Sequence, residues 1–149
     1  MTWLKDRIVL VPTDMSEFSL RAFEVAGQLV SDRRLIRVLH VLPIIDAIAP
    51  ETAWVTIDET SRLEQVKKLV GEFLEQHQCG DLSFEVLPGN AGHEIANYAK
   101  EIEAGLIVIP SQGRGMLHRL LLGSTTDRVV RLSHCPVLVL KEEKKEAGR

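Results

Sequence analysis

Apolar positions along the chain gather into five short runs, at 7–11, 35–41, 82–87, 106–109 and 137–140, each bounded by turn residues. Such runs read as strands. The first, fourth and fifth are apolar without alternation, the pattern of a strand covered on both faces. The third alternates Leu82, Phe84 and Val86 with Ser83 and Glu85, which predicts an edge strand with one wetter face. Between the runs the period changes to three and four. Residues 16–30 align Leu20, Phe23, Gly27 and Val30, with Ser16 or Ser19 to cap the start. Residues 58–77 align Leu63, Val66, Leu69, Val70, Phe73 and Leu74, and Gly80 suits the turn that follows. Residues 90–103 align Ile95, Ala99 and Ile102, with Gly105 as the stop, and 124–132 form a last helix closed by Pro136.

Strand and helix therefore alternate from end to end, which predicts one doubly wound α/β domain. Its five-stranded parallel sheet has the order 3-2-1-4-5, with helices on both faces. The domain is expected over 1–141. Residues 42–57 read as an irregular connection and 142–149 as a charged flexible tail. The 149 residues are 45% apolar and 26% charged, an ordinary globular composition, and the net charge of -3 offers no field for a polyanion. Nucleic acid is not an expected partner. No apolar run reaches the roughly 18–20 residues of a membrane span, so a cytoplasmic protein without membrane contact is expected. Cys79 and Cys135 lack metal-ligand or C-x-x-C spacing and read as free thiols.

In a doubly wound sheet the ligand site lies beyond the carboxyl ends of the strands where their order reverses. The segment after the fourth strand is the informative one. Gly113 and Gly115 open a loop, Arg114, His118 and Arg119 add cations, and Gly123 precedes Ser124, Thr125 and Thr126 where a helix begins. Free N–H groups, the positive end of a helix dipole and small hydroxyls form an anion-binding surface, and Gly123 lets a phosphate approach the backbone. The same stretch, Ser124 to Asp127, also reads as a capping box that binds nothing. Asp14 after the first strand is equally open: it bonds a ligand, holds a metal or caps a helix. His40 reads as a packed, hydrogen-bonded residue rather than a ligand, and the other histidines show no metal spacing.

Three stretches together carry a family resemblance: Val9 to Ser16 (VLVPTDMS), Leu39-His40-Val41, and Leu106 through Gly123-Ser124 followed by Cys135 to Val139. They resemble the universal stress proteins. The nucleotide-binding branch of that family carries G-x-x-G-x9-G-[S/T], and Gly113, nine intervening residues and Gly123-Ser124 match its second part. Pro110 stands at the motif's first glycine; it has no N–H to offer, so only its carbonyl is left for a contact. Gln112 stands where many relatives have histidine. The resemblance implies that Pro12, Thr13, Asp14 and Val41 surround adenine and ribose. It places Ile109, Pro110 and Gln112 beside them, and Gly113, Gly123, Ser124, Thr125 and Thr126 on the phosphates of ATP or AMP, with Mg²⁺ as a companion of a triphosphate. It further implies a homodimer paired through the apolar edge Val137 to Leu140.

The expectation is a stress-response regulator that binds an adenine nucleotide, orders the loop 110–122 and presents the altered surface to a protein partner. The alternative is a nucleotide-independent homodimeric interaction module of the same fold. No G-x-x-x-x-G-K-[S/T] loop, G-x-S-x-G elbow or G-x-G-x-x-G after the first strand is present, so any enzymatic activity is expected to be at most a slow ATPase. A phosphorylatable receiver domain is also disfavoured, since Asp14 stands alone and Leu87-Pro88-Gly89 follows the third strand.

Overall fold

Odd and even residues part company at the centre of the sheet: Val9 and Val11 of β1 (Val9–Pro12) enter one core, and Leu10 enters another. The same division runs through β2 (Ile36–Leu42) and β4 (Leu106–Pro110), with Val38 and Val108 on the first side and Leu39 and Ile107 on the second. A strand apolar on both faces demands cover on both. Helices α1 (Glu17–Leu29) and α2 (Glu59–Gln76) supply it on the first side through Ala22, Phe23, Ala26, Val70 and Leu74. Helices α3 (Ala91–Glu101) and α4 (Ser124–Leu132) supply it on the second through Ile95, Tyr98, Ala99 and Val129. With β3 (Ser83–Pro88) and β5 (Val137–Leu140) at its edges, the sheet is wholly parallel and ordered β3-β2-β1-β4-β5, as its pattern predicts. This computed structural model describes residues 3–44, 59–112 and 122–141. Most of the irregular connection 42–57, the loop residues Gly113 to Arg119 and the tail 142–149 lie outside the described residues.

Several boundaries differ from the sequence expectation for identifiable reasons. β1 starts at Val9 instead of residue 7, because the Arg7 N–H closes a turn onto the Leu4 carbonyl (3.1 Å), burying Leu4 in the first core. Leu35 belongs to a single 3₁₀ turn (Arg33–Leu35) ahead of β2, capped by the Asp32 carboxylate on the Arg34 N–H. The glycines expected to stop α2 and α3 do not do so. Gln78 (φ 61°) and Glu103 (φ 54°) take the left-handed positions. The N–H groups of Cys79 and Ala104 return to Leu74 and Ala99, the 6→1 bonds of a Schellman stop. Gly105 serves space instead: a Cβ there would stand 2.7 Å from the Arg7 side chain. Leu69 of α2 faces solvent, and β5 is only partly covered, with Leu138 37% exposed, so its uniform apolarity does not mark a strand buried on both faces.

Proline ends β1, β3 and β4, and Pro43 follows β2, so these four strands stop at the same end of the sheet. A proline at a strand's last position removes a donor where the ladder is already finishing. The carboxyl ends of the parallel strands lie together, and the site lies there.

Candidate functional site

β1 turns to β2 on one side and meets β4 on the other, so the connections leaving β1 and β4 diverge to opposite faces and leave a crevice. A cavity of about 290 Å³ occupies it. Leu39 and Val41, Ile109, and Ala91 and Ile95 from the start of α3 give it an apolar wall. Thr13, Asp14, Ser19 and His40 give one polar side, and Gln112 with Gly123 to Thr126 the other.

The Thr13 N–H donates to the Leu39 carbonyl (2.8 Å), the last bond between β1 and β2. Odd residues of β2 point their N–H and C=O toward β1. Even residues point toward β3, as the Leu42 carbonyl shows by accepting the Gly89 N–H at 2.9 Å. Val41 is odd and lies past the last β1 rung. Its donor and acceptor therefore face the side that β1 has vacated, at the cavity wall.

Beyond Thr13 the chain reverses through Met15, whose φ of 62° is left-handed and costs a non-glycine residue roughly 1–2 kcal/mol. Local bonds hold it. The Met15 N–H donates to Thr13 Oγ1 (2.9 Å) and the Ser16 N–H to Asp14 Oδ1 (2.9 Å). The Thr13 hydroxyl donates to Ser19 Oγ (2.8 Å), and Ser19 donates to Asp14 Oδ1 (3.3 Å). Ser16 is the N-cap residue of α1, but its hydroxyl caps nothing; Ser19 lies inside the helix and turns to the loop. Neither serine caps the start as the sequence suggests. His40 Nδ1 stands 2.8 Å from the Thr13 carbonyl, and since a carbonyl only accepts, Nδ1 carries the proton. His40 is thus hydrogen-bonded as expected, and in addition it lines the cavity.

At the opposite wall the capping-box alternative fails. Gly123 is the N-cap of α4, Ser124 is already helical, and no side chain among the described residues caps this helix. Asp127 pairs with Arg131 (3.0 Å) rather than folding back on the start. The first-turn amides of α4 therefore open toward the cavity without a side-chain acceptor among the described residues. Thr126 donates its hydroxyl to the Pro110 carbonyl (2.8 Å), and the Gly123 N–H donates to the Ser111 carbonyl (2.8 Å), fastening α4 to the end of β4.

Of the residues singled out in the sequence, Pro12, Thr13, Asp14 and Val41 line this one cavity. So do Ile109, Pro110, Gln112, Gly123, Ser124, Thr125 and Thr126. Gly113, with Arg114, His118 and Arg119, lies outside the described residues. Sequence reasoning missed Ser19, Leu39, Ala91 and Ile95. Ala91 and Ile95 are one helical turn apart just after β3, so their position at the carboxyl end of the sheet was the available signal. Among the described residues no group of three His, Cys, Asp or Glu is placed to hold a metal. No described helix is long and apolar enough to cross a membrane. The shifted carboxylates lie at the other end of the sheet. Hydrogen bonds from Arg34 hold Asp32 at about 2, and Arg33 lowers Asp81 by the same means.

Comparison with known proteins agrees with this architecture. A universal stress protein of Methanocaldococcus jannaschii is 34% identical over 148 residues, spanning 93% of this chain and 84% of the relative. The solved universal stress protein UspA of Lactobacillus plantarum is similar with a TM-score of 0.68 at 27% identity, covering 92% of this chain and 99% of that one. A universal stress protein solved in complex with cAMP shares the fold, with a TM-score of 0.58 at 21% identity over 92% of this chain and 98% of that one. The sequence pattern of the universal stress protein family matches residues 6–141, from the turn before β1 to the end of β5, and the chain belongs to that family.

Proposed function

We propose that the chain is a stress-response regulatory protein that binds an adenine nucleotide, ATP or AMP, at the switch point and signals through a homodimer. The observation that carries this reading is the pairing, in one cavity, of an apolar slot edged by the Val41 N–H and C=O with a helix start that no described side chain caps. Adenine is apolar on its faces and presents a donor and an acceptor side by side, which a main-chain N–H and C=O of one residue complement. Asp14 accepts from the ribose hydroxyls. The amides at the start of α4 and the hydroxyls of Ser124 and Thr125 receive phosphate oxygens. Mg²⁺ in this reading is carried by the phosphates, since Asp14 is the only carboxylate lining the cavity among the described residues. The cAMP complex of a protein with this fold supports the choice of an adenine nucleotide.

The homodimer rests on β5. The Pro136 and Leu140 carbonyls accept from Ile107 and Ser111 of the β4 side, so Val137 and Val139 turn their N–H and C=O outward along an apolar edge. Pairing two such edges protects both from promiscuous association.

One observation favours the nucleotide-independent module instead. Residue 110 has no N–H, and its carbonyl, the contact left open to a ligand, is taken by Thr126. Calorimetric titration of nucleotide-stripped protein with Mg²⁺-ATP and with AMP decides between the two. Binding that Gly123→Val abolishes, at little cost in melting temperature, is the expected result. No heat and no thermal shift with either nucleotide would overturn the reading and leave the interaction module.

A further inference from the structure

We infer that Ser19 is a positioning residue for ligand recognition, setting the Asp14 carboxylate through a one-way chain of hydrogen bonds; the inference rests on the nucleotide reading above. The ends of the chain fix its direction. The Met15 N–H can only donate and the Asp14 carboxylate can only accept. Every hydroxyl proton between them is therefore assigned: Met15 N–H to Thr13 Oγ1 (2.9 Å), Thr13 O–H to Ser19 Oγ (2.8 Å), Ser19 O–H to Asp14 Oδ1 (3.3 Å).

Ser19 is 1% exposed, and a buried hydroxyl is costly unless bonded, so its orientation is not free to change. It also stands on α1 while Asp14 stands on the loop, which makes it the rigid reference against which the carboxylate is set. Oδ1 receives both the Ser19 hydroxyl and the Ser16 N–H (2.9 Å), and two donors on one oxygen fix the plane of the group. A carboxylate so held before the ligand arrives loses little rotamer entropy on binding. Ser19 touches the cavity wall, but its effect runs through Asp14.

The test uses two probes that divide the proposed site. Adenosine engages only the Asp14 and Val41 side, and inorganic tripolyphosphate only the start of α4. Titrations compare the native protein with Ser19→Ala, Asp14→Ala and the double variant. Ser19→Cys, which keeps the size and a weak donor, serves as the variant that retains the packing. Ser19→Ala is expected to weaken adenosine about tenfold, the scale of one hydrogen bond to a charged group, and to leave tripolyphosphate unchanged. Ser19→Cys should fall between. In the Asp14→Ala background, which has no oxygen for Ser19 to hold, removing the Ser19 hydroxyl should cost nothing further.

Equal weakening of both probes, a full independent loss in the Asp14→Ala background, or native affinity for adenosine in Ser19→Ala would each overturn the inference. Failure of the nucleotide reading looks different: native protein that binds neither adenosine nor ATP removes that reading, and the role of Ser19 with it.

Discussion

The Thr126 hydroxyl in α4 donates to the carbonyl of Pro110 at the end of β4, across 2.8 Å and 16 residues of chain. This bond explains how a central strand ends in proline. Pairing of β1 with β4 stops at Leu10 and Ile107, and the Ser111 N–H rather than residue 110 completes the bond to Leu140 on the β5 side. No ladder donor is missing, and the remaining carbonyl is satisfied by the helix it positions.

Thr126→Val should therefore destabilise the protein by about 1–3 kcal/mol, because it keeps the shape but strips the partner from a polar group in a part-buried site. Thr126→Ser keeps the hydroxyl and should recover most of that loss. The check is the urea midpoint of both variants at constant slope. A native midpoint for Thr126→Val with a lower one for Thr126→Ser would show that the methyl, not the hydroxyl, matters.

Gly92, near the start of α3, lies under the Arg128 side chain of α4; a Cβ there would stand 2.6–2.8 Å from its Cβ, Cγ and Cδ. Contact this near the root of a side chain cannot be relieved by swinging its tip. Gly92→Ala should lose about 1–3 kcal/mol by overpacking, against the small helix-propensity gain of alanine. Arg128→Gly removes Cβ, Cγ and Cδ together, so Gly92→Ala should cost much less in that background than in the native protein, read from the same urea midpoints. An equal cost of Gly92→Ala in both backgrounds would refute this packing account.

The fold was legible because strands apolar on both faces and helices of clear period leave few arrangements, and the switch-point rule then points to the residues after β1 and β4. What escaped was decided by tertiary geometry. Nothing local distinguishes Gln78 and Glu103 as left-handed stops while Gly80 and Gly105 stand nearby. They hold those positions because Schellman bonds and packing outweigh the conformational penalty. Ser16 looked like a cap, but the Ser19 N–H that its hydroxyl would accept from donates to the Ser16 carbonyl instead (3.1 Å), and the Ser16 hydroxyl is buried without a partner among the described residues. Leu39 and Ile95 read as core positions, which they are, and become cavity lining only because the strands stop where they do.

At the amino-terminal end of the sheet, Arg33 holds Asp81 with two bonds (2.7 and 3.0 Å), and Arg34 holds Asp32. Asp32 lies at about 2 against its usual 3.8, so in the folded chain it stays ionised through a range in which the unfolded chain takes up a proton. A depressed carboxylate stabilises above its unfolded pKa and loses that contribution as pH falls through the folded value. Melting temperature should therefore decline between about pH 4 and about pH 2. Asp32→Asn should soften that decline while lowering the neutral-pH melting temperature slightly. An acid limb identical in the native protein and in Asp32→Asn/Asp81→Asn would assign the acid sensitivity elsewhere.

The edge of the sheet yields the last expectation. Val137 and Val139 pack inward against the α3–α4 core, whereas Leu138 is 37% exposed on the other face. Leu138→Lys places a charge on that edge without entering the core, so the monomer should fold with nearly its native stability. If two copies pair along β5, the charge meets its symmetry-related copy, because a two-fold interface brings the same surface of each subunit together. The variant should then elute and scatter light as a monomer where the native chain scatters as a dimer. A native-like dimer in Leu138→Lys would move the interface away from β5, and a native chain already monomeric would show that the outward bonds of Val137 and Val139 are left to water.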